Sequence, residues 1–279
     1  MIKVPKITLN NQVEMPQIGL ELAQTANQKI IENALANGYR SFDLAQIYTN
    51  ESMVGQALHS SKVKREDLFL TEKVWISNFG FHRTKKAIEQ VLSKLQTDYL
   101  DLVLLHQPFN DYYGAYHALE DLYHEGLVRA IGVANFLPDR YLDLAKFSQI
   151  TPAIDQLETH ILFQQQQITP YLKDYDTRIQ AWEPLAQNNP ELLNNQLLQN
   201  LAQKYHKTVT QIALRFLVQQ GMTVLTPVAE AKVMHANIDI WDFQITIAEM
   251  QQLTALDRKE PYIFDYHDPR VVNAILRTK

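Results

Sequence analysis

The sequence predicts a (β/α)8 barrel, in which eight parallel strands close into a ring surrounded by helices. Three observations predict this fold. Strand-like and helix-like segments alternate strictly along the chain in eight pairs. A short hairpin precedes the first pair and could close the bottom of the barrel. The chain has 279 residues, of which 46% are hydrophobic, and this length is enough for one large domain with a sizeable core.

The elements follow in chain order. The hairpin is expected at residues 6–10 and 13–16, on either side of the Asn10–Asn11 pair. Short apolar segments of strand type lie at residues 17–22, 40–44, 68–74, 101–106, 128–134, 153–157, 178–182 and 222–226. Amphipathic segments of helix type lie between them, at residues 27–37, 50–60, 83–95, 113–125, 138–146, 164–173, 191–205 and 232–237.

Three local features refine this prediction. Asn50 is expected to be the N-cap of the second helix, and the glutamine run 164–167 suits a solvated helix start. The tail beyond Ile247 carries Tyr262 and other aromatic residues and is expected to fold over the barrel mouth as a C-terminal substrate loop. No linker or composition break divides the chain, so a single barrel domain is expected over residues 1–279. The alternative is an open, doubly wound sheet, but no GxGxxG motif follows the first strand.

Composition limits the class of protein. Charged residues make up 20% of the chain and the net charge is -5, so we expect no nucleic-acid and no membrane partner. There are no cysteines, which excludes disulfides and thiolate chemistry and fits a reducing compartment. No apolar run has the length of a signal peptide or a membrane span. A cytoplasmic protein is therefore the expectation, with a monomer as the default because no heptad or long apolar stripe indicates a partner.

Four polar residues lie at or just after the ends of three consecutive predicted strands. Asp43 lies near the end of the second strand and Tyr48 follows it, Lys73 lies near the end of the third strand and His106 ends the fourth. If these strands are parallel neighbours, the four side chains converge at the carboxyl ends of the strands, where such barrels hold their chemistry. Taken singly, each residue is more often structural than catalytic. Their convergence favours a site.

The four residue types have a shared chemical logic. A free tyrosine has a pKa near 10 and exchanges a proton poorly at neutral pH unless a cation favours its anion. Lys73 could be that cation, Asp43 would keep Lys73 charged and oriented, and His106 could bind a substrate oxygen. This set suits the protonation of an oxygen while hydride from a nicotinamide attacks the carbon, as in carbonyl reduction.

Motifs along the whole chain resemble a known family. They are GYRSFDLAQIYTNESMVGQAL, LFLTEKVW, DYLDLVLLHQP, ALEDLYHEGLVRAIGVANF, DQLE, IQAWEPLAQ and ALRFLVQQG. In this order they resemble the successive signatures of the aldo-keto reductases, and in particular the bacterial branch of 2,5-diketo-gluconate reductases. The resemblance extends from LNNQVEMPQIGL to FDYHDPRVV. It implies that Asp43, Tyr48, Lys73 and His106 are the catalytic residues.

The resemblance also implies a cofactor, NADP(H) or NAD(H), and a small carbonyl substrate. The positions that hold the nicotinamide carboxamide match Asn135 and Gln156, whose amides are donors and acceptors at once. Trp182 matches the aromatic on which the nicotinamide stacks, Asn237 matches a cofactor-binding asparagine, and Trp75 matches a wall of the substrate pocket. For the amides the structural alternative is loop capping, and for the tryptophans it is ordinary packing.

The chain departs from the family at the positions that bind the 2′-phosphate end of the cofactor. The family commonly binds the 2′-phosphate of NADP with a basic residue and a serine after the last strand, and with an arginine six residues past the lysine. Those positions hold Pro227, Val228 and Val233. Two cations are therefore missing, and each charge-assisted hydrogen bond that is lost would contribute about 1.5–3 kcal/mol to the binding free energy. Lys232, beside Val233, could substitute in part for the missing charge. NADH use or weak NADPH use is the prediction, with the preference left open.

Further departures lie nearer the nicotinamide. Glu21 stands where a glycine usually lets the nicotinamide end approach, and Glu183 stands where serine or glycine is usual near the pyrophosphate. Ala134 replaces a serine that contacts the carboxamide. Ala23 and Gln107 stand where aromatic residues are common, so a wider and more polar pocket is expected.

Three hypotheses of function follow. The first is an aldo-keto reductase that reduces an aldehyde or ketone with Tyr48 as proton donor. The second is a barrel that acts as a ligand-binding or regulatory protein, which the altered cofactor positions favour and the complete catalytic set disfavours. The third is an isomerase or lyase that uses Tyr48 without a dinucleotide. No metal site is predicted, because His117 and His124 have no third ligand in view.

Overall fold

The computed structural model describes residues 2–23 and 26–278. Within them the strands are β1 (Lys6–Thr8), β2 (Glu14–Pro16), β3 (Ile18–Glu21), β4 (Ser41–Ala45), β5 (Phe69–Val74), β6 (Leu102–Leu105), β7 (Ile131–Ala134), β8 (Ile154–Glu158), β9 (Arg178–Trp182) and β10 (Thr223–Pro227). Strands β3 to β10 are parallel and form a closed barrel in chain order, which β10 completes by pairing with both β9 and β3. The predicted (β/α)8 fold is confirmed.

The described helices surround this barrel. They are α1 (Gln28–Asn37), α2 (Glu51–His59), α3 (Phe81–Leu95), α4 (Tyr112–His124), α5 (Pro138–Phe147), α6 (Thr169–Asp174), α7 (Pro190–Leu193), α8 (Gln196–Tyr205), α9 (Val209–Gln219), α10 (Ala231–Ile238), α11 (Ile247–Thr254) and α12 (Pro269–Arg277). None of the helices in the described part of the chain is long and apolar enough to cross a membrane.

The structure corrects the helices between β9 and β10. The predicted helix at 191–205 is two helices, because the Asn195 side chain accepts the backbone N–H groups of Leu197 and Leu198 and so begins α8 afresh. Helix α9 was missing from the prediction. Its start carries a capping box, in which Thr208 and Gln211 satisfy each other's backbone N–H groups. That T-x-x-Q spacing was the available signal.

The predicted hairpin closes the bottom of the barrel. Strands β1 and β2 pair antiparallel, and the turn between them ends with Gln12 in a left-handed conformation. The Asn10 and Asn11 amides donate to the carbonyl oxygens of Pro152 and Arg129, which ties the turn to the barrel. The apolar side chains of the hairpin join a buried cluster inside the barrel, formed by Leu9, Met15, Phe69, Leu102, Leu104, Ala130, Ala134, Ala153 and Ile154.

Two local expectations need comment. Asn50 is the N-cap residue of α2, as predicted, but its side chain makes no capping bond, since its amide nitrogen donates instead to the carbonyls of Leu22 and Ala23 and so anchors the segment after β3. The glutamine run 164–167 does not begin a solvated helix. Gln164 and Gln165 are buried, because their amides satisfy backbone carbonyls, including that of Glu158. Helix α6 begins only at Thr169, next to Pro170, which supplies a preset first turn.

Candidate active site

Asp43 and Lys73 meet inside the barrel near its mouth. They belong to the adjacent strands β4 and β5, whose register pairs Ala45 with Lys73, so both side chains lie on the inner face of the sheet. The Lys73 ammonium forms a direct ion pair with Oδ1 of Asp43, and both side chains are buried. Burial lowers the pKa of Lys73 to about 8, whereas the charge of Glu21 acts to raise it. The carboxylate of Asp43 also favours the charged ammonium.

Tyr48 lies at the end of a 3-10 turn, Gln46–Tyr48, directly after β4. Its hydroxyl donates to Oε1 of Glu21 at 2.5 Å. The ammonium of Lys73 lies over the Tyr48 ring, 5.5 Å from its centroid. The sequence placed Lys73 as the partner of Tyr48, and the structure adds Glu21 as the group that holds the hydroxyl. Burial, and then the charge of Glu21, raises the pKa of Tyr48 above its ordinary value.

His106 follows β6 and faces the same mouth. Its ring meets Trp75 edge to face, with the ring centroids 5.0 Å apart. Its Nδ1 atom is buried and has no hydrogen-bond partner in the described part of the chain. Burial, and then the positive charge of Lys73, holds the pKa of His106 well below its usual value. The imidazole is therefore neutral near pH 7, which suits hydrogen bonding to an uncharged carbonyl oxygen.

A polar chain extends from the ion pair across the mouth. The Gln156 amide nitrogen donates to Oδ2 of Asp43 and to Oε1 of Gln180, each at 2.8 Å. Asn135 donates to the carbonyl of His106 at 3.1 Å and accepts from Nε1 of Trp182 at 3.0 Å. The structure thus brings three of the predicted cofactor residues close to the predicted catalytic residues. Gln180 was missed, although it lies two residues before Trp182 and so points to the same face of β9.

Asn237 is the predicted cofactor residue that lies away from this set. It is buried in α10, where its side chain approaches the hydroxyl of Tyr39. After the barrel closes, Pro227 at the end of β10 is exposed, Val228 in the following loop is half-buried and Val233 on α10 is exposed. Lys232 is also exposed. None of these four has a charged contact with the mouth among the described ion pairs.

Glu183 follows Trp182 in a left-handed conformation, with φ of 49°, that glycine adopts more readily. Its carboxylate accepts the backbone N–H of Gln187 at 3.2 Å, so it is turned toward its own loop. Burial, and then the charge of Glu21, raises the pKa of Glu183 above its ordinary value.

The C-terminal segment covers the mouth as the sequence predicted, held by a carboxylate that the sequence analysis missed. Glu158, on the inner face of β8, accepts the backbone N–H groups of Tyr262 at 2.7 Å, Ile263 at 3.1 Å and Phe264 at 3.4 Å. Phe264 lies 6.1 Å from the Trp182 ring, centroid to centroid. Beyond this segment the tail forms α12 and is not all loop. Glu158 could have been found two residues after Gln156, on the same face.

Replacing Glu158 by glutamine is expected to release this segment. Bonds to a charged acceptor are worth about 1.5–3 kcal/mol each, so the amides of Tyr262, Ile263 and Phe264 should exchange with deuterium at least about tenfold faster. Asp268→Asn is the matched control, because Asp268 accepts the N–H of Arg270 at the start of α12 and does not touch the segment. Unchanged exchange in the Glu158 variant would show that packing alone holds the segment.

A cavity of about 340 Å³ opens between this segment and the barrel. Its walls include Asn135, Glu158, Phe163, Phe264 and Tyr266. The four predicted catalytic residues are not among the described residues that line it. Asn135 joins the cavity to that set, because it also contacts the backbone of His106.

Comparisons with known proteins agree with this geometry. A profile described as the aldo/keto reductase family matches residues 16–258. The chain is 39% identical to the glyoxal reductase of Bacillus subtilis, over 91% of this chain and 93% of that protein. It is 36% identical to the methylglyoxal reductase DkgA of Escherichia coli, over 90% of this chain and 93% of that protein.

A solved structure supports the same assignment. An aldo-keto reductase of Bombyx mori in complex with NADP is 27% identical, with a TM-score of 0.89, over 97% of this chain and 98% of that one. The family profile spans most of the residues that form the barrel, and the two relatives exceed 30% identity over nearly their whole length. The chain therefore belongs to the aldo/keto reductase family of nicotinamide-dependent oxidoreductases.

Proposed function

We propose that this protein reduces a small aldehyde or ketone to the alcohol, with Tyr48 as the proton donor. The observation that carries the proposal is the convergence of Asp43, Tyr48, Lys73 and His106 around one mouth. The relatives named as glyoxal and methylglyoxal reductases point to a small, reactive dicarbonyl compound as the substrate class.

Each residue has a separate task in this proposal. The neutral imidazole of His106 binds the carbonyl oxygen and orients it toward the Tyr48 hydroxyl. Tyr48 gives its proton to that oxygen as negative charge develops there. Lys73 lies over the Tyr48 ring and moderates the negative charge left on Tyr48, while Asp43 holds Lys73 in place.

The nicotinamide end of the cofactor fits the groups at the mouth. Asn135, directly after β7, and Gln156, within β8, present amides, and Trp182 offers a half-buried indole beside them. Amides suit a carboxamide, and an indole suits a flat ring. The bound nicotinamide supplies the hydride that reduces the carbonyl carbon. The covering segment with Phe264 would keep water away from that transfer.

The residues expected to contact the adenosine end of the cofactor suit a dinucleotide without a 2′-phosphate, NADH, better than NADPH. The chain has no cation at Pro227, Val228 or Val233, between the end of β10 and α10, so NADPH lacks the charge-assisted bonds that would favour it over NADH. We propose that the chain uses NADH, or NADPH weakly, and that Asn237 contributes at the adenosine end from α10.

Replacing Val233 by arginine is expected to raise the affinity for NADPH by about tenfold or more, and to leave that for NADH within about twofold, because one new charge-assisted bond reaches only the 2′-phosphate. Quenching of tryptophan fluorescence measures both affinities. Ile247→Arg adds the same charge at the exposed start of α11 and is the control. An equal gain in affinity for both nucleotides, or an equal gain in NADPH affinity in both variants, would show a general effect of the added charge.

The direct test of the proposed function is turnover of glyoxal and of methylglyoxal with NADH and with NADPH, followed by the loss of nicotinamide absorbance. Consumption of either nucleotide that depends on the carbonyl compound is the expected result. Calorimetry on the cofactor-free protein should show binding of at least one nucleotide. Failure of both to bind up to millimolar concentration would overturn the proposal.

We also propose a cytoplasmic monomer. The cysteine-free composition supports a reducing compartment. The large hydrophobic side chains that are exposed on helices are spread over several of them, such as Phe147 on α5, Tyr171 on α6 and Leu276 on α12. They do not form one extended patch on a single element. Analytical ultracentrifugation at micromolar concentration should give the mass of one chain, 32.3 kDa.

A further inference from the structure

We propose that Glu21 is a specificity-determining residue, whose carboxylate accepts a hydrogen bond from a hydroxyl group on the carbon next to the substrate carbonyl. The favoured substrates are then α-hydroxycarbonyl compounds and dicarbonyl compounds hydrated at one of their two carbonyl groups. The inference rests on the proposed function and deepens it, because it narrows the substrate class of the same site. Neither the resemblance nor the relatives assign Glu21 such a role, since the family position is usually glycine.

Glu21 places its carboxylate beside the hydroxyl that is proposed to protonate the substrate. It ends β3, and its register partner on β4 is Asp43, so its side chain lies on the inner face of the barrel. Its Oε1 accepts the Tyr48 hydroxyl at 2.5 Å, so Glu21 acts as an ionised carboxylate. A carbonyl oxygen that takes the Tyr48 proton lies within hydrogen-bond distance of the same hydroxyl. The groups on the carbon next to that carbonyl therefore lie near the Glu21 carboxylate.

This carboxylate has acceptor capacity that the described protein groups leave unused. An ionised carboxylate offers about four acceptor sites on its two oxygens, and the Tyr48 hydroxyl is the donor that reaches Glu21 among the described hydrogen bonds. The charge of Glu21 acts on Lys73, but the Lys73 ammonium is paired directly with Asp43. Glu21 is half-buried, so it is open to a small molecule at the mouth.

Protonation of the substrate takes the Tyr48 proton away from Glu21. When Tyr48 turns its hydroxyl toward the carbonyl oxygen, the carboxylate loses that donor, and a half-buried carboxylate without one is unfavourable. A substrate hydroxyl on the neighbouring carbon replaces the lost donor, whereas a methyl group cannot. A carboxylate in that place would face Glu21 with a like charge. Glu21 therefore favours a hydroxyl group over a methyl group there, and rejects a carboxylate.

Small dicarbonyl compounds fit this ranking in water. Water adds readily to an aldehyde group beside a second carbonyl group and converts it into a carbon with two hydroxyl groups. The hydrate of methylglyoxal is thus a ketone whose neighbouring carbon carries two hydrogen-bond donors. The same ranking predicts that α-keto acids are poor substrates.

The kinetic test uses hydroxyacetone, butanone and pyruvate, which share an acetyl group and differ in the group attached to it. In the wild type, kcat/KM should be highest for hydroxyacetone and lowest for pyruvate. Because hydroxyacetone is also intrinsically more reactive than butanone, the change of their ratio between variants is the decisive quantity. In Glu21→Leu the ratio of hydroxyacetone to butanone should fall at least about tenfold, and that of pyruvate to butanone should rise. Changes in cofactor binding or in the acidity of Tyr48 affect all three ketones and cancel in these ratios.

Two further variants separate the acceptor from the charge. Glu21→Gln keeps an acceptor oxygen and loses the negative charge, so it should retain part of the preference for hydroxyacetone and accept pyruvate better. Glu183→Gln is the matched control, because the Glu183 carboxylate accepts the N–H of Gln187 and is turned toward its own loop. It should change the ratio of hydroxyacetone to butanone by less than about twofold.

A second measurement needs no turnover and so separates this inference from the proposed function. Tyrosines labelled with ¹³C at Cζ are followed by NMR, and the Tyr48 signal is assigned with Tyr48→Phe. The protein is titrated with 1,2-propanediol and with 2-butanol, the alcohols that correspond to hydroxyacetone and butanone, with and without the oxidised nucleotide. The diol should shift the Tyr48 signal with a dissociation constant at least about fivefold lower in the wild type. This difference should vanish in Glu21→Leu.

Specific results would overturn the inference. If the ratio of hydroxyacetone to butanone is the same in the wild type and in Glu21→Leu, Glu21 does not bind the substrate hydroxyl, although carbonyl reduction itself would stand. Equally good reduction of pyruvate and hydroxyacetone by the wild type would also contradict it. If no ketone is reduced with either nucleotide, the proposed function fails, and equal affinities of the wild type for the diol and 2-butanol would then refute the role of Glu21 as well.

Discussion

Replacing Tyr48 by phenylalanine is expected to lower turnover by a factor of about 10²–10⁴, because general acid catalysis by one positioned group contributes that much. The substitution removes only the hydroxyl that donates to Glu21, so the fold and the nucleotide affinity should be kept. The measurement is the steady-state rate with the preferred nucleotide, together with circular dichroism.

Tyr123→Phe is the matched control for this variant, because Tyr123 lies on α4 outside the mouth and its change removes the same hydroxyl. It should leave turnover unchanged. If the Tyr48 variant keeps its turnover, the proton of the product alcohol comes from another group, and His106 becomes the next candidate to replace.

Replacing Asp43 by alanine is expected to reduce the free energy of unfolding by about 3–5 kcal/mol, because it leaves the ammonium of Lys73 buried without its counter-charge. The substitution also removes one of the two hydrogen-bond acceptors of the Gln156 amide nitrogen. Urea unfolding measures the loss. Turnover should fall as well, since Lys73 no longer has a fixed position beside Tyr48.

The double variant Asp43→Ala with Lys73→Met tests whether the unpaired charge is the cause. It removes both ions, so it should recover much of the lost stability but none of the turnover. Equal instability of the single and double variants would mean that the lost hydrogen bonds and packing, and not the buried charge, dominate.

Much of the fold could be predicted from the sequence because local sequence patterns determine it. The alternation of strand and helix segments predicted the barrel, and the period of two along β4 to β6 placed Asp43, Lys73 and His106 at one mouth. The starts of individual helices, which depend on local capping residues, were predicted less well. Asn195 separated a helix predicted as one, and the capping box of Thr208 began a helix that the apolar pattern alone did not reveal.

The sequence by itself determined that a barrel carries a tyrosine, a lysine, an aspartate and a histidine at the ends of neighbouring strands. Only the tertiary structure decided which groups these side chains bind. Glu21 is 27 residues from Tyr48 along the chain, and Glu158 is 104 residues from Tyr262. Such pairs follow from the closure of the barrel and the path of the tail, which no local period encodes. The physical reason is that backbone periodicity assigns a face to each side chain, whereas its partner depends on which other elements the closed ring brings to that face.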